Sequence, residues 1–488
     1  MATLTGFLRQ AAVAYVLGAG LVTDIFLVAF ALPEFVMIAL PIFLAPAFIP
    51  LFVQYRQQGK ETLAGRFVLR AAGAIFLGLL GLSGLAFFGA PLYVRWLSPG
   101  FGPEQHSQTI LAARLMLPAF WAMGLTTLVS AVLQIYRRFA FPALTTAVYN
   151  LVFILTLFFL PIAQPLQRAA WGVTLGAVGA LLFQLPVLAK HLRTWSRAYP
   201  GGMSAQDGVD LSKSIKQMFQ LAGPLAAGYG VHHLILFIDR AMATTLGTGS
   251  LAALQYSYHL ALTVGQLSGL AVATVIFPAL TEQITRADIA SAKSSVASAL
   301  RLVAMIAVPA SGGLILLRVP LIQVLFERGA FDQTATAAVS APLIWYAISV
   351  VFDALCQPLW RVIYAWRKPW LVFSVNGLQT IVRLGFNLLM IKYFGYSGLA
   401  ISAAIGFFVQ VLVLGWLVQR VFQFQLSSAA WHYFWKLALT TVVAVGTAGF
   451  LVLITRGARP ELTLLLSGGF GTAAYLGMVG YSKFWRRS

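Results

Sequence analysis

Long apolar runs, broken by short polar or glycine- and proline-bearing segments, follow one another from one end of the chain to the other. A membrane-spanning helix needs about 20 mostly apolar residues. Runs of that kind lie at 9–31, 34–54, 71–94, 111–135, 140–161, 169–189, 218–242, 251–281, 299–326, 337–360, 370–391, 397–419, 433–454 and 462–482. The pattern predicts an all-α integral membrane protein with about fourteen transmembrane helices. The first run carries Asp24 and leads straight into another span, so it reads as a retained helix rather than a cleaved signal segment.

The pattern repeats at an offset of about 228 residues. Leu17-Gly18-Ala19-Gly20 returns as Leu246-Gly247-Thr248-Gly249, and Ile49-Pro50 with Gln54 returns as Phe277-Pro278 with Gln283. Ile135-Tyr136-Arg137-Arg138 parallels Ile363-Tyr364 followed by Arg367-Lys368-Pro369, and Gly172 to Gln184 parallels Gly398 to Gln410. The offset covers six spans, an even number, so both copies cross the membrane in the same sense. Parallel repeats of this type place a transport site between the halves near the midplane. The expected organisation is an N-terminal lobe over 1–200 with helices 1–6, a pseudo-symmetric second lobe over 201–425 with helices 7–12, and two additional helices over 426–488.

Composition agrees with the membrane reading and removes several functions. Charged residues are 9% of 488, and mean hydropathy is +0.85, where a soluble domain carries roughly 25% charged residues. The single cysteine, Cys356, lies in an apolar run and excludes a disulfide framework or a cysteine-based metal site. A net charge of +20 would suggest nucleic acid in a soluble protein. With the N-terminus placed inside, 23 of the Lys and Arg residues fall on inside segments and 7 on outside ones. That asymmetry makes the charge a topology signal and predicts both termini in the cytoplasm, in a bacterial inner membrane, with no nucleic-acid partner.

Charges inside a bilayer are costly and mark partners or watery cavities. Asp24, Arg114, His232, His233, Asp239, Arg240, His259, Asp353 and Arg383 fall within spans, and Arg9 and Glu34 lie near span ends. The His232-His233 pair has no Cys, Asp or Glu at metal-ligand spacing. Pro33, Pro41, Pro46 and Pro50 fall along the second span, which is expected to be bent or broken and to serve as a gate. No phosphate-binding Gly-x-x-x-x-Gly-Lys-Ser/Thr loop is present, so direct ATP drive is not expected. The longest outside loop, near 95–110, is too short for an enzyme domain, and no pair of catalytic carboxylates stands out. The expectation is a transporter rather than an enzyme, with no cofactor and with an ion gradient or the membrane potential as the candidate drive.

Gly6-Phe7-Leu8-Arg9, Leu17-Gly18-Ala19-Gly20, Thr23-Asp24, Phe26, Val28-Ala29-Phe30, Leu32-Pro33 and Ala47-Phe48-Ile49-Pro50 resemble the opening of the MurJ/MviN lipid II flippases of the MOP exporter superfamily. Ile238-Asp239-Arg240-Ala241 through Gly249-Ser250 and Tyr256 resembles that family's span 7–8 region. The resemblance implies two six-helix lobes, a cationic cavity for a polyprenyl-pyrophosphate headgroup, and a groove for the lipid tail on helices 13 and 14. It also implies membrane lipids, and glycan-assembly enzymes, as partners. The chain departs from the family pattern at Met37 and Ile38, where a basic pair is usual, at His259, where an arginine is usual, and at Thr3. Arg9 alone of that set is kept. These departures lead to the expectation that the cargo is an exopolysaccharide-type lipid-linked glycan, moved from the cytoplasmic to the periplasmic leaflet. The alternatives are lipid II itself for peptidoglycan synthesis, a small-molecule or multidrug exporter, or a membrane assembly scaffold. The expected substrate contacts are Arg9, His259 when protonated, and Asp24, which orients the arginine, with Arg240 and Arg383 as further sources of positive charge.

Overall fold

Glycine, rather than proline, ends the first helix. In the computed structural model, which describes residues 2–197, 205–286, 288–365, 369–422, 428–455 and 459–481, helix α1 (Ala2–Leu17) stops at Gly18. Gly18 has φ 70°, a left-handed conformation that closes a helix cheaply only without a Cβ. Helix α2 (Leu21–Gln57) then runs unbroken through Pro33, Pro41, Pro46 and Pro50. The break expected between residues 31 and 34 is therefore at 18–20, and the second span is continuous rather than broken. The physical reason is that each proline costs one N–H partner, freeing the carbonyls of Ala29, Met37, Ile42 and Pro46. Leaving the helix inside lipid would free many more. At 1.5 Å per residue α2 is about 55 Å long, well beyond a hydrocarbon core of roughly 30 Å.

The remaining helices are α3 (Glu61–Leu97), α4 (Pro103–Met116), α5 (Ala119–Ile135), α6 (Ala140–Phe159), α7 (Pro165–Arg197), α8 (Ala205–Thr244), α9 (Ser250–Gly265), α10 (Ala271–Thr285), α11 (Ile289–Leu316), α12 (Arg318–Phe326), α13 (Gln333–Ala365), α14 (Pro369–Phe394), α15 (Ser397–Phe422), α16 (Ser428–Ile454) and α17 (Pro460–Tyr481). A π-helical turn, Gln266–Leu270, joins α9 to α10. The protein is all-α and polytopic. Among the described residues, ten helical stretches are long and apolar enough to cross a membrane; α1, with 16 residues, is shorter. The expected figure of fourteen is larger than length and composition alone establish.

The repeat is visible in the elements. Leu21–Gln57 corresponds to the continuous Ser250–Thr285, and α3 to Ile289–Phe326. The pair α4–α5 corresponds to α13, α6 to α14 and α7 to α15. Gly247 repeats the positive φ of Gly18, so the recurring Leu-Gly-x-Gly motif is a recurring helix end. Pro91 and Pro320 occupy matching positions with different results. Pro91 lies inside the continuous α3, whereas Pro320 lies in the first turn of α12, just after the break at Leu317. Proline is tolerated in a first helical turn because its missing N–H has no partner there.

The chain forms two units, Met1–Thr248 and Gly249–Ser488. In the first, Phe48 stacks on Phe67 at 5.3 Å and on Phe52 at 5.6 Å, within a core from α2, α3, α5, α7 and α8. In the second, α13 is central and packs on α9, α11 and α15, while α16 and α17 cover α11 and α12. Large apolar side chains such as Leu85, Phe88, Leu92 and Val275 are exposed. On a soluble protein such a surface would be a liability; against acyl chains it is the favourable arrangement. The repeat is not followed in one respect. Helix α1 packs on α6 and α7, but α8, which matches it, packs on α2 and α3 in the first unit.

Candidate functional site

The first unit assembles a polar seam on the N-terminal half of α2. Asp24 lies in the first helical turn, where backbone N–H groups favour a carboxylate. It is 1% exposed, and its own N–H is bonded to the Gly20 carbonyl at 3.1 Å. The neighbouring Thr23 Oγ1 donates to the Gly18 carbonyl at 2.7 Å, tying the helix start to the α1 end. Arg9, on α1, is half-buried, with its guanidinium 5.7 Å from the Tyr149 ring centre and 5.6 Å from that of Phe153, both on α6. Aromatic faces attract a guanidinium without consuming its N–H donors. Its Nε is buried and has no hydrogen-bond partner among the described residues. Arg9 therefore keeps donor capacity for an anion inside an apolar bundle.

Arg240 is placed differently. It lies on α8, 9% exposed, and forms an ion pair with Glu34 of α2. Its Nη1 also donates to the Leu27 carbonyl at 3.4 Å. One face of α8 continues the contact. Phe35 of α2 meets Tyr229, His233 and Phe237 at ring separations of 5.7, 5.8 and 5.9 Å, and His233 Nε2 is hydrogen-bonded to Tyr229 Oη. Arg240 is thus a charge already held by a carboxylate, which a phosphate could replace on the same guanidinium fork. The sequence singled out both residues but could not join them.

The second unit holds the other expected contacts. His259, on α9, pairs its Nε2 with Gln255 Nε2 at 2.9 Å, and its carbonyl accepts from Thr263 Oγ1 at 3.1 Å. Arg383, on α14, is 7% exposed and lies in a buried stripe with Gln379 and Asn387, one turn to either side. That stripe faces α15 at Gly406, where an added Cβ would come within 3.4 Å of Arg383 Cβ and 3.3 Å of Gln379 Nε2. Close by, Gln410 Nε2 donates to Asn376 Oδ1 at 3.0 Å. In the first unit Gln184, which parallels Gln410, is bonded to Ser130 at 2.9 Å and also to Thr145. These contacts were missed, although the parallel between Gly172–Gln184 and Gly398–Gln410 contained the two glutamines. Asp353 of α13 accepts from Gln357 Nε2 at 3.2 Å. The described residues contain no group of three or more His, Cys, Asp or Glu able to hold a metal ion.

A family model described as lipid II flippase MurJ matches residues 13–465. A probable lipid II flippase MurJ of Vibrio cholerae is 27% identical over 97% of this chain and 92% of its own length. One from Rhizobium tropici is 28% identical over 97% of this chain and 88% of its own. In fold, the chain is similar to a lipid II flippase MurJ in an inward closed conformation, with a TM-score of 0.81 at 20% identity, covering 97% of this chain and 95% of the other. It is also similar to an inward-facing multidrug resistance MATE transporter of the MOP superfamily, with a TM-score of 0.66 at 14% identity over 87% and 95%. These relatives overturn the expectation of an exopolysaccharide-type cargo. That expectation rested on Met37, Ile38 and His259 standing where basic residues are usual, yet curated relatives matching nearly the full chain are named for lipid II. Loss of charge at three positions on α2 and α9 says little about cargo when charge stands on other helices, as Arg9 on α1 and Arg240 on α8 do.

Proposed function

Since the chain belongs to the MurJ lipid II flippase family and is a multi-pass inner-membrane protein, we propose that it moves lipid II, a polyprenyl-linked cell-wall precursor, from the cytoplasmic to the periplasmic leaflet without covalent chemistry. The observation that carries this reading is the family match along 13–465, supported by curated relatives of nearly the same length. Orientation with both termini in the cytoplasm rests on the distribution of Lys and Arg.

The headgroup must leave water with its diphosphate charge compensated. Arg9 supplies a guanidinium whose Nε is unbonded and whose position is set by two aromatic rings. Arg240 supplies a second one, released when the diphosphate replaces the Glu34 carboxylate. Because Glu34 is on α2 and Arg240 on α8, that exchange loosens the contact between these helices and links cargo binding to their movement. Pro33, adjacent to Glu34, weakens the helix where the movement starts.

The test is lipid II translocation in proteoliposomes made with the full chain. Arg9→Ala is expected to lower the rate at least tenfold, one good charge-assisted contact being worth about 1.5–3 kcal/mol. Arg9→Lys is expected to recover part of it. A wild-type protein that fails to move lipid II, and fails to support growth of cells depleted of their own lipid II flippase, would remove the reading.

A further inference from the structure

A second concentration of positive charge lies away from the Arg240 seam, where α8 begins. A cavity of about 570 Å³ is lined by Arg70 of α3 and by Gly208, Val209, Ser212, Lys213 and Lys216 of α8. The α8 residues fall on one helical face, and Asp210 lies roughly a third of a turn away from it. Two contacts hold this face in place. Arg70 Nη1 donates to the Gly208 carbonyl at 3.1 Å, and Tyr55 Oη of α2 shares a hydrogen bond with Ser214 Oγ at 2.8 Å. The cavity is therefore an open depression whose lining is fixed by packed helices. Arg70 is half-buried, while Ser212, Lys213 and Lys216 are exposed at the rim and Val209 adds an exposed apolar surface. Neither lysine is in an ion pair among the described residues.

These groups define a ligand. A planar guanidinium at the back and two mobile ammonium groups three residues apart in front suit a phosphate oxygen cluster. The hydroxyl of Ser212 adds a donor. Val209 offers contact to hydrocarbon next to that charge, which a soluble anion would not use. The volume lies within the 300–1,000 Å³ range of small-ligand sites and exceeds what a bare phosphate fills. Basic pockets between membrane helices at the cytoplasmic surface take anionic lipid headgroups. The same end of the unit carries Lys60 just past α2, beside the Arg56–Glu61 ion pair at 3.9 Å.

We propose that this cavity binds the phosphate headgroup of an anionic membrane lipid, and that the bound lipid bridges the start of α8 to α3. The chemistry, a phosphate ester on Arg70, Lys213 and Lys216, is shared with free phosphate. The proposal does not rest on the flippase reading, since it is read by lipid binding alone.

The experiment uses the purified full chain in detergent micelles, with native mass spectrometry of its adducts with phosphatidylglycerol and, separately, phosphatidylcholine. The wild type is expected to retain phosphatidylglycerol preferentially. Lys213→Gln with Lys216→Gln is expected to weaken that retention roughly 30-fold, two near-surface lysines being removed. Both lysines are exposed, so the variant should fold, and its thermal midpoint in lipid-free detergent checks this. A charge-matched control, Lys293→Gln with Lys392→Gln, is expected to keep the preference, which separates the site from net charge. A parallel arm adds inorganic phosphate. Retention of the lipid in its presence supports a lipid occupant, and complete displacement overturns it in favour of a soluble one. Equal binding of the two lipids by the wild type, or an unchanged preference in the Lys213/Lys216 variant, overturns the proposal.

Discussion

Arg240 and Glu34 show what a single pair contributes when it is mostly removed from water. Their side chains are 11% and 20% exposed, so removing one partner leaves the other charged in an apolar setting. Glu34→Gln is expected to destabilise the protein by on the order of 3 kcal/mol. Replacing both, as Glu34→Leu with Arg240→Met, is expected to restore most of that loss. Thermal unfolding in detergent measures both. A Glu34→Gln protein as stable as the wild type would mean the pair is solvated and not a latch. The residues were readable in the sequence as charges that needed an explanation, but the pairing spans 206 positions and no local pattern carries it. Arg9 is the opposite case: its place on α1 was legible, and its aromatic cradle of Tyr149 and Phe153 required the packing of α1 on α6.

The continuous helix from Ser250 to Thr285 contains the π turn at Gln266–Leu270 and packs on α13 through glycine. A Cβ on Gly269 would meet Ala354 Cα at 2.6 Å and the Ala354 carbonyl oxygen at 2.9 Å, both backbone atoms that cannot swing aside. Gly269→Ala is expected to cost about 1–3 kcal/mol by forcing the helices apart. Gly223→Ala, where nothing lies within 4 Å, is the control and should be neutral or slightly stabilising. Comparable thermal midpoints for the two variants would contradict the close approach. Helix existence was legible from apolar runs because each span buries its own backbone hydrogen bonds. Helix ends were less so: the chain breaks at Gly18 instead of Pro33, since inside lipid a lost N–H is cheaper than a lost helix.

In the second unit, α16 and α17 add to α11 and α12, with Leu437, Ala444 and Tyr475 buried beside Ala304 and Tyr475 Oη donating to the Met305 carbonyl at 2.7 Å. They lie outside the repeat, and the cores around Leu359 of α13 and Val303 of α11 are built without them, although they cover Ala304 of α11. A chain ending after Phe422 is expected to insert and fold with a lowered thermal midpoint, and to lose lipid II translocation if these helices guide the lipid tail. Full lipid II translocation by the truncated chain would show that these helices do not guide the lipid tail. The repeat of α2–α7 in α9–α15 was legible at this scale because recurring helix ends and buried glutamines leave recurring residues, as Gly18 and Gly247 or Gln184 and Gln410 do. The chain by itself determined a lipid-embedded, internally duplicated helical protein, because hydropathy and glycine act through neighbours in sequence. Only the tertiary structure decided that α8 leaves the pattern of α1 to lie on α2 and α3, that Arg240 is held by Glu34 while Arg9 Nε stays unbonded, and that Arg70 meets Lys213 and Lys216. Those are contacts between distant segments, set by which helix faces fit together.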